Sequence, residues 1–325
     1  MMIIDNDIIN KDGRSFRNEI KTNAKLWHYF FVNNQNLLLY HYTSIKGIKN
    51  ILKTKTLWFS EYLYLNDSSE GEYVYSLLKE VLEKYKKSDP VFSKFKDEVI
   101  SFIIEKQRGT FVDFRNGNYK YESRTTMTKF FICSFSSKKD CLPMWNYYSK
   151  SDKHFGYNLQ FDLVNFKSNL KDYISNDLAN KATFRIYKVL YKKSKQIALL
   201  KTAIDFFYNK WIEGYHEYVL NYFGQYLYSL RFFMKHEAFE AEKEIRFVIQ
   251  MDEECFNEKC INKIIKYRQN DDYNIAYLEI PFEKECVKNI MSSPLTIDTS
   301  KIKCILDKSG YKNISIMKSS IPLRY

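Results

Sequence analysis

Residues 37–44 read Leu37-Leu38-Leu39-Tyr40-His41-Tyr42-Thr43-Ser44, an apolar run ending in a histidine and two hydroxyl side chains. A short run of this kind reads as a buried strand. Thr43 or Ser44 then caps a helix in which Ile45, Ile48, Ile51 and Leu52 recur at helical spacing, and Leu57-Trp58-Phe59-Ser60 reads as a second strand. Upstream, an aromatic cluster (Trp27, Tyr29, Phe30, Phe31) closing a charged segment predicts a helix over 14–34. Downstream, Leu65-Asn66-Asp67 and two serines form a turn that caps a helix starting near Glu70. Helices are expected over 70–87 and 91–107, and a Gly-, Asn- and Arg-containing loop over 108–124.

The pattern then alternates without a regular period. Strands are expected at 129–135, 157–161, 182–191, 246–250, 277–281, 287–291 and 313–317, and short helices at 142–148 and 299–308. Between about 194 and 233, Ile197, Leu200, Ile204, Phe207, Trp211, Tyr215, Val219 and Tyr222 keep a three- or four-residue rhythm, predicting one or two inserted helices. Uneven interruption of strands by helices argues for an α+β fold over a doubly wound sheet. With 9 Gly, 5 Pro and no linker, the chain reads as one domain over 1–325. Its expected parts are an N-terminal helical extension (1–35), an α+β core (about 36–164 and 235–325) and a mostly helical insertion (about 165–234).

Composition bounds the function classes. A hydrophobic fraction of 45% supports a sizeable core, so disorder does not describe the chain. The aromatic fraction is high at 17%, with 27 Tyr and 25 Phe, which codon composition or nucleic-acid stacking surfaces would each explain. Net charge is +12, but the basic residues are dispersed and form no tail or stripe. Six cysteines include no C-x-x-C pair and no histidine at zinc-finger spacing, which fits reduced thiols in a cytoplasmic protein. No signal layout opens the sequence and no apolar stretch reaches about 20 residues, so neither export nor a membrane partner is expected.

Three segments carry candidate chemistry. His41 lies where a strand end meets a helix N-terminus, a place that gathers free backbone N–H groups for phosphate or ribose oxygens. A partly buried structural histidine beside a capping residue is the competing reading. Glu242-Lys243-Glu244-Ile245-Arg246 opens a strand, so residues 242, 244 and 246 are expected on one face. Two carboxylates and a guanidinium there would stabilise an oxocarbenium-like carbon, or else form an edge ion pair. Ser134 and Ser136 share a strand face, and Trp145 and Tyr148 sit at i, i+3, suiting either a pocket or ordinary packing. Phosphate-loop, dinucleotide-loop, zinc-protease and serine-hydrolase signatures are absent. No metal is expected, and a nuclease would require one.

Ordered blocks of the chain resemble a bacterial family catalogued as domain of unknown function 2971. They are Tyr40-His41-Tyr42-Thr43, Leu57-Trp58-Phe59-Ser60, Leu65-Asn66-Asp67 with Glu70, Cys133-Ser134-Phe135-Ser136, Trp145-x-x-Tyr148, Gly156 with Phe161, Lys235-x-x-x-Phe239-x-x-Glu242-x-Glu244-x-Arg246, Ile280-Pro281, and Ser320-Ile321-Pro322-Leu323-Arg324. A looser resemblance is to ADP-ribosyltransferase folds, through His41, then Ser134-x-Ser136, then Glu242-x-Glu244 in that order.

That second resemblance implies a split β-sheet core with flanking helices and NAD as substrate. It implies that His41 and Thr43, with neighbouring Tyr42 and Ser44, bind the ribose, and that Ser134 and Ser136 support the pocket. Glu244 would stabilise the cation formed as nicotinamide leaves, Glu242 would assist acceptor attack, and Arg246 would complete the charged group. Trp145 and Tyr148 are the aromatic candidates against nicotinamide. Asn66 and Asp67 are further binding candidates without a counterpart in that pattern. The expected function is ADP-ribose transfer to a macromolecule, nucleic acid or protein, as a toxin or phage-defence effector with an antidote or sensor protein as partner. The alternative is a non-catalytic ligand- or nucleic-acid-binding module using the same cleft.

Overall fold

The computed structural model describes residues 11–30, 32, 37–62, 70–85, 89–105, 129–148, 156–176, 178, 182–251, 264–270 and 273–322. By backbone proximity the chain divides into two compact units. One comprises Met1–Phe31, Asp67–Thr126 and Val189–Ala238, and the other Val32–Asn66, Met127–Lys188 and Phe239–Tyr325.

The first unit is helical in its described residues: α1 (Lys11–Thr22), α2 (Ala24–Trp27), α4 (Glu70–Glu83), α5 (Pro90–Glu98), α8 (Lys193–Ile212) and α9 (His216–Leu230). The helix expected over 14–34 is two, because the Asn23 side chain accepts from Lys25 N at 3.1 Å and caps a new start. Asp89 caps α5 through Phe92 N at 2.8 Å, with Pro90 in the first turn, and α5 continues as a π-helical segment over Val99–Glu105. Gly214, at φ +95, separates the two helices of the expected 194–233 region. Aromatic packing fills this unit's core, with Phe207 stacked on Phe223 at 4.5 Å and Trp27 edge-on to Tyr226 at 5.2 Å. The loop expected over 108–124 lies outside the described residues.

The second unit is built on a sheet. Its strands are β1 (Leu38–Ser44), β2 (Thr56–Glu61), β3 (Lys129–Ser136), β4 (Gly156–Asp162), β5 (Ala182–Lys188), β6 (Glu244–Met251), β7 (Ile265–Asn270), β8 (Tyr273–Pro281), β9 (Val287–Ser292) and β10 (Ser315–Lys318). Its helices are α3 (Ile45–Thr54), α6 (Leu142–Tyr148), α7 (Leu163–Asn176) and α10 (Ser300–Lys308). The strand order is β10-β9-β4-β1-β3-β2-β8-β7, with β6 on β3 and β5 on β6. The α+β class expected from sequence holds, as a central open sheet with flanking helices. β7 was not expected: Lys266-Tyr267-Arg268-Gln269 is polar because the strand lies at a sheet edge.

The sheet forks at β3. One edge of β3 pairs with β6 along its whole length, from Lys129↔Met251 to Ser136↔Glu244. The other edge is shared: β2 takes it at Ile132 and Phe131, and β1 meets it only at Tyr40↔Ser136. Beyond that pair β1 turns to β4, with which it pairs from Leu38↔Asp162 to Ser44↔Gly156.

Alternation sorts the faces. Leu39, Phe59, Phe131, Phe135, Phe161, Phe247 and Leu278 point to one side, where they are buried against Ile48 and Leu52 of α3, Phe166 and Leu170 of α7, and Ile302 and Leu306 of α10. The opposite, outer face carries Tyr40, Tyr42 and Met291, which pack with Met144 and Trp145 of α6. Phe135 is central, with ring centroids 5.6 Å from Phe161, 5.6 Å from Phe166 and 5.2 Å from Phe247. Phe135→Ala removes this hub and should destabilise the protein by about 3–5 kcal/mol, read as a lowered denaturant midpoint in chemical unfolding.

Candidate functional site

The N-terminal segment builds its end of the site through local chemistry. Ser44 Oγ accepts from Gly47 N at 3.1 Å, capping α3. A Cβ at residue 47 would lie 2.0 Å from Thr43 Oγ1, so only glycine lets the Thr43 side chain lie against the first turn. Tyr42 donates its hydroxyl to Lys138 O at 2.8 Å and packs edge-on to Trp145 at 4.7 Å. Of the four residues 41–44, Tyr42 and Ser44 therefore have defined packing and capping roles, and Thr43 sits against the capped turn.

His41 does something different. Its Nδ1 lies 3.4 Å from Ser134 O, in the part of the β1–β3 seam where the strands no longer pair. A carbonyl can only accept, so Nδ1 carries the proton and Nε2 is the lone-pair nitrogen. Burial lowers the imidazole pKa to about 4, so the ring is neutral at pH 7. Phe135 meets it edge-on at 5.5 Å.

Across β3 stands the acidic group. The Glu244 Oε2 atom accepts from Ser134 Oγ at 3.3 Å and from Arg246 Nε at 2.5 Å. Register explains the meeting: Ser134 pairs with Arg246 and Ser136 with Glu244, so all four side chains share the outer face. Glu244 and Arg246 are both buried. Glu242 departs from its expected place. It ends a 3-10 turn (Glu237–Glu242), and Lys243 at φ +45 breaks the extended backbone before β6 begins. Glu242 is thus not on the β6 face with residues 244 and 246.

Glu242 nevertheless remains beside the cluster, buried, with its Oε1 accepting from Tyr148 OH at 3.4 Å and its carbonyl from Ser136 Oγ at 2.7 Å. The left-handed Lys243 is held on both sides, since its carbonyl accepts from Ser137 N at 3.0 Å and its N–H bonds Glu240 O at 3.3 Å. A non-glycine residue in that region costs about 1 kcal/mol or more and persists where its surroundings fix it.

The structure thus brings together Ser134, Ser136, Glu242, Glu244, Arg246 and Tyr148, whereas the His41 side chain alternates with Tyr40 and Tyr42 onto the core-side face beside Phe135 and touches the group only through the Ser134 backbone carbonyl. Trp145 is core, its Nε1 donating to Asp140 Oδ1 at 2.7 Å. Asn66 and Asp67 lie outside the described residues. Two residues that sequence reading missed support the site. Asp140 also accepts from Ser319 Oγ at 2.8 Å and Ser320 N at 2.9 Å, tying the C-terminal segment to the loop that launches α6. Asn158, buried opposite Tyr42, donates to Lys139 O at 2.6 Å; its signal was a polar side chain in a strand buried along nearly its whole length. Among the described residues no group of three or more His, Cys, Asp or Glu is placed to hold a metal ion.

Two outcomes test this geometry. A neutral buried imidazole has a folded pKa near 4 against 6.5 when exposed, so the unfolded chain binds the proton first as pH falls. Stability should be intact above pH 6.5 and decline toward pH 4, by about 3 kcal/mol at most, and His41→Gln should flatten that slope in pH-dependent urea unfolding. Arg246→Leu strands a buried carboxylate and should cost about 3–5 kcal/mol, and adding Glu244→Gln to it should return part of the loss in the same assay.

No helix among the described residues is long and apolar enough to cross a membrane. No curated protein matches the chain, and no solved structure does. The family model described as protein of unknown function (DUF2971) does match, over residues 144–247. That segment holds Trp145-x-x-Tyr148 and runs through Glu242, Glu244 and Arg246, and over this third of its length the chain is similar to that family.

Proposed function

We propose that the Glu244 cluster is the catalytic centre of an NAD-consuming ADP-ribosyltransferase with the β1–β3 fork as its ribose-binding side, the counterpart of the split sheet of those folds. One observation carries the reading: at the point where the sheet divides, Ser134 is engaged from both sides, its backbone carbonyl accepting from His41 Nδ1 at 3.4 Å and its hydroxyl donating at 3.3 Å to Glu244 Oε2, which also accepts from Arg246 at 2.5 Å. Neutral His41, with Nε2 as acceptor, suits a ribose hydroxyl. Glu244 faces the carbon that becomes cationic when the bond from ribose C1 to nicotinamide breaks and its electron pair leaves with nicotinamide. The acceptor nucleophile then bonds to C1 and gives up its proton, with Glu242 beside Tyr148 as the base. Tyr148 is the aromatic residue of this site, and Trp145 is a packing residue behind it.

A second reading is favoured by the engagement of Glu244 Oε2 with both Arg246 and Ser134, as in a structural ion pair. The site would then belong to a non-catalytic binding module.

Nicotinamide release from NAD, followed by chromatography with RNA, DNA and protein acceptors present, separates the two. Glu244→Gln keeps the shape of the side chain and one acceptor oxygen for Ser134 and Arg246, and should reduce release by about 100-fold or more, while the thermal unfolding profile stays cooperative. Wild-type protein that leaves NAD intact with every acceptor would overturn the transferase reading.

A further inference from the structure

The outer sheet face carries a second group of chemistry-bearing side chains, on β2, β8 and β7. Trp58 is 39% exposed, whereas the other three tryptophans, Trp27, Trp145 and Trp211, are buried. Its ring lies 4.5 Å from that of Tyr277 and 5.4 Å from the Arg268 guanidinium carbon. Arg268 Nη2 donates to Ser60 Oγ at 3.2 Å, and its buried Nε has no hydrogen-bond partner among the described residues. Lys266 and Glu279 form an ion pair on the same face, so Arg268 is the positive charge left over. A part-buried guanidinium without a carboxylate partner among the described residues leaves its charge for an anionic oxygen, and an exposed indole beside it invites a flat π-surface.

A nucleotide supplies both together, and in a strand of them base and phosphate recur at every step, which neither an acidic peptide without aromatic residues nor a single aromatic acid offers. Trp58 is exposed near Lys266 of the edge strand β7, which fits a polymer lying along the sheet edge, as does the net charge of +12. We propose that this face binds a single-stranded polynucleotide, with an unpaired base stacking on Trp58 and a phosphate oxygen bonded to Arg268. Ser60 pairs with Ile132 on β3, two residues from Ser134 on the same face. By strand spacing the platform therefore begins about 8 Å from the Glu244 cluster, so the strand it holds is the acceptor class for that site. The acceptor role rests on the transferase reading, but the binding does not.

Fluorescence anisotropy with labelled 15-nucleotide single-stranded DNA and RNA, over a salt series and without NAD, tests it. Binding should weaken as salt rises and should protect tryptophan emission from iodide quenching, since Trp58 is the exposed indole. Trp58→Ala should weaken binding at least tenfold, and Trp58→Phe should keep it within about threefold. Arg268→Gln should weaken it and shrink the salt slope by about one contact. Absence of single-strand binding at low salt, binding undiminished in both Trp58→Ala and Arg268→Gln, or equal displacement by an acidic peptide would each overturn the proposal. A parallel nicotinamide-release assay keeps the two readings apart. Release without strand binding removes the platform alone, and strand binding by protein that leaves NAD intact removes the transferase alone.

Discussion

A β-strand has two edges, and each backbone N–H and C=O on an edge bonds one neighbour. β3 gives one edge wholly to β6, so β1 and β2 must divide the other. Extending β1 past Tyr40↔Ser136 would carry it into the span of edge that β2 approaches from Ile132. The two strands therefore diverge, β1 toward β4 and β2 toward β8. The fork leaves Ser134 without a β1 pairing partner, and the His41 imidazole answers the carbonyl with its own N–H. One backbone constraint thus sets the histidine tautomer, places Nε2, and fixes where a gap in the sheet adjoins the Glu244 cluster.

The cluster itself is held by opposed energetic terms. Burying Glu244 and Arg246 costs several kcal/mol per ion, which their mutual hydrogen bond and Ser134 offset. Geometry comes from register on one side and from strain on the other. β3–β6 pairing sets Ser134, Glu244 and Arg246 on one face, while left-handed Lys243 lifts Glu242 off the strand and toward Tyr148. Asp140 steadies the α6 end by engaging Trp145 and the C-terminal segment together.

Local patterns were the legible part of this molecule. The helix at Leu142–Tyr148 and the strand at Lys129–Ser136 follow the hydrophobic spacing, and the Ser44 cap follows residue type. Side-chain alternation also put Ser134 and Ser136 on one face. What escaped depends on information that alternation lacks. The position of Glu242 turns on a single dihedral at Lys243, in a residue type that gives no hint of a positive φ. The role of Asp140 depends on serines about 180 residues away, and β7 is polar because its edge position removes the need for burial. That Ser134 would stand between His41 and Glu244 follows from no local rule, since the two lie on strands separated by a third.

Exposure does not account for the polar residues of the cluster. Ile132 pairs with Val248 on the same outer face, one step along from the Ser134–Arg246 pair, and both are buried and apolar. The fold therefore accommodates aliphatic side chains at this depth, on this face, in these same two strands. Replacing a buried ion pair by packed apolar residues of like volume is often neutral or favourable for stability. Ser134, Glu244 and Arg246 are thus not what packing alone selects, and a strained Lys243 alongside them adds a further local cost. Glu244 and Arg246, buried with the part-buried Ser134 between them, are therefore a polar group that the packing of this sheet face does not require.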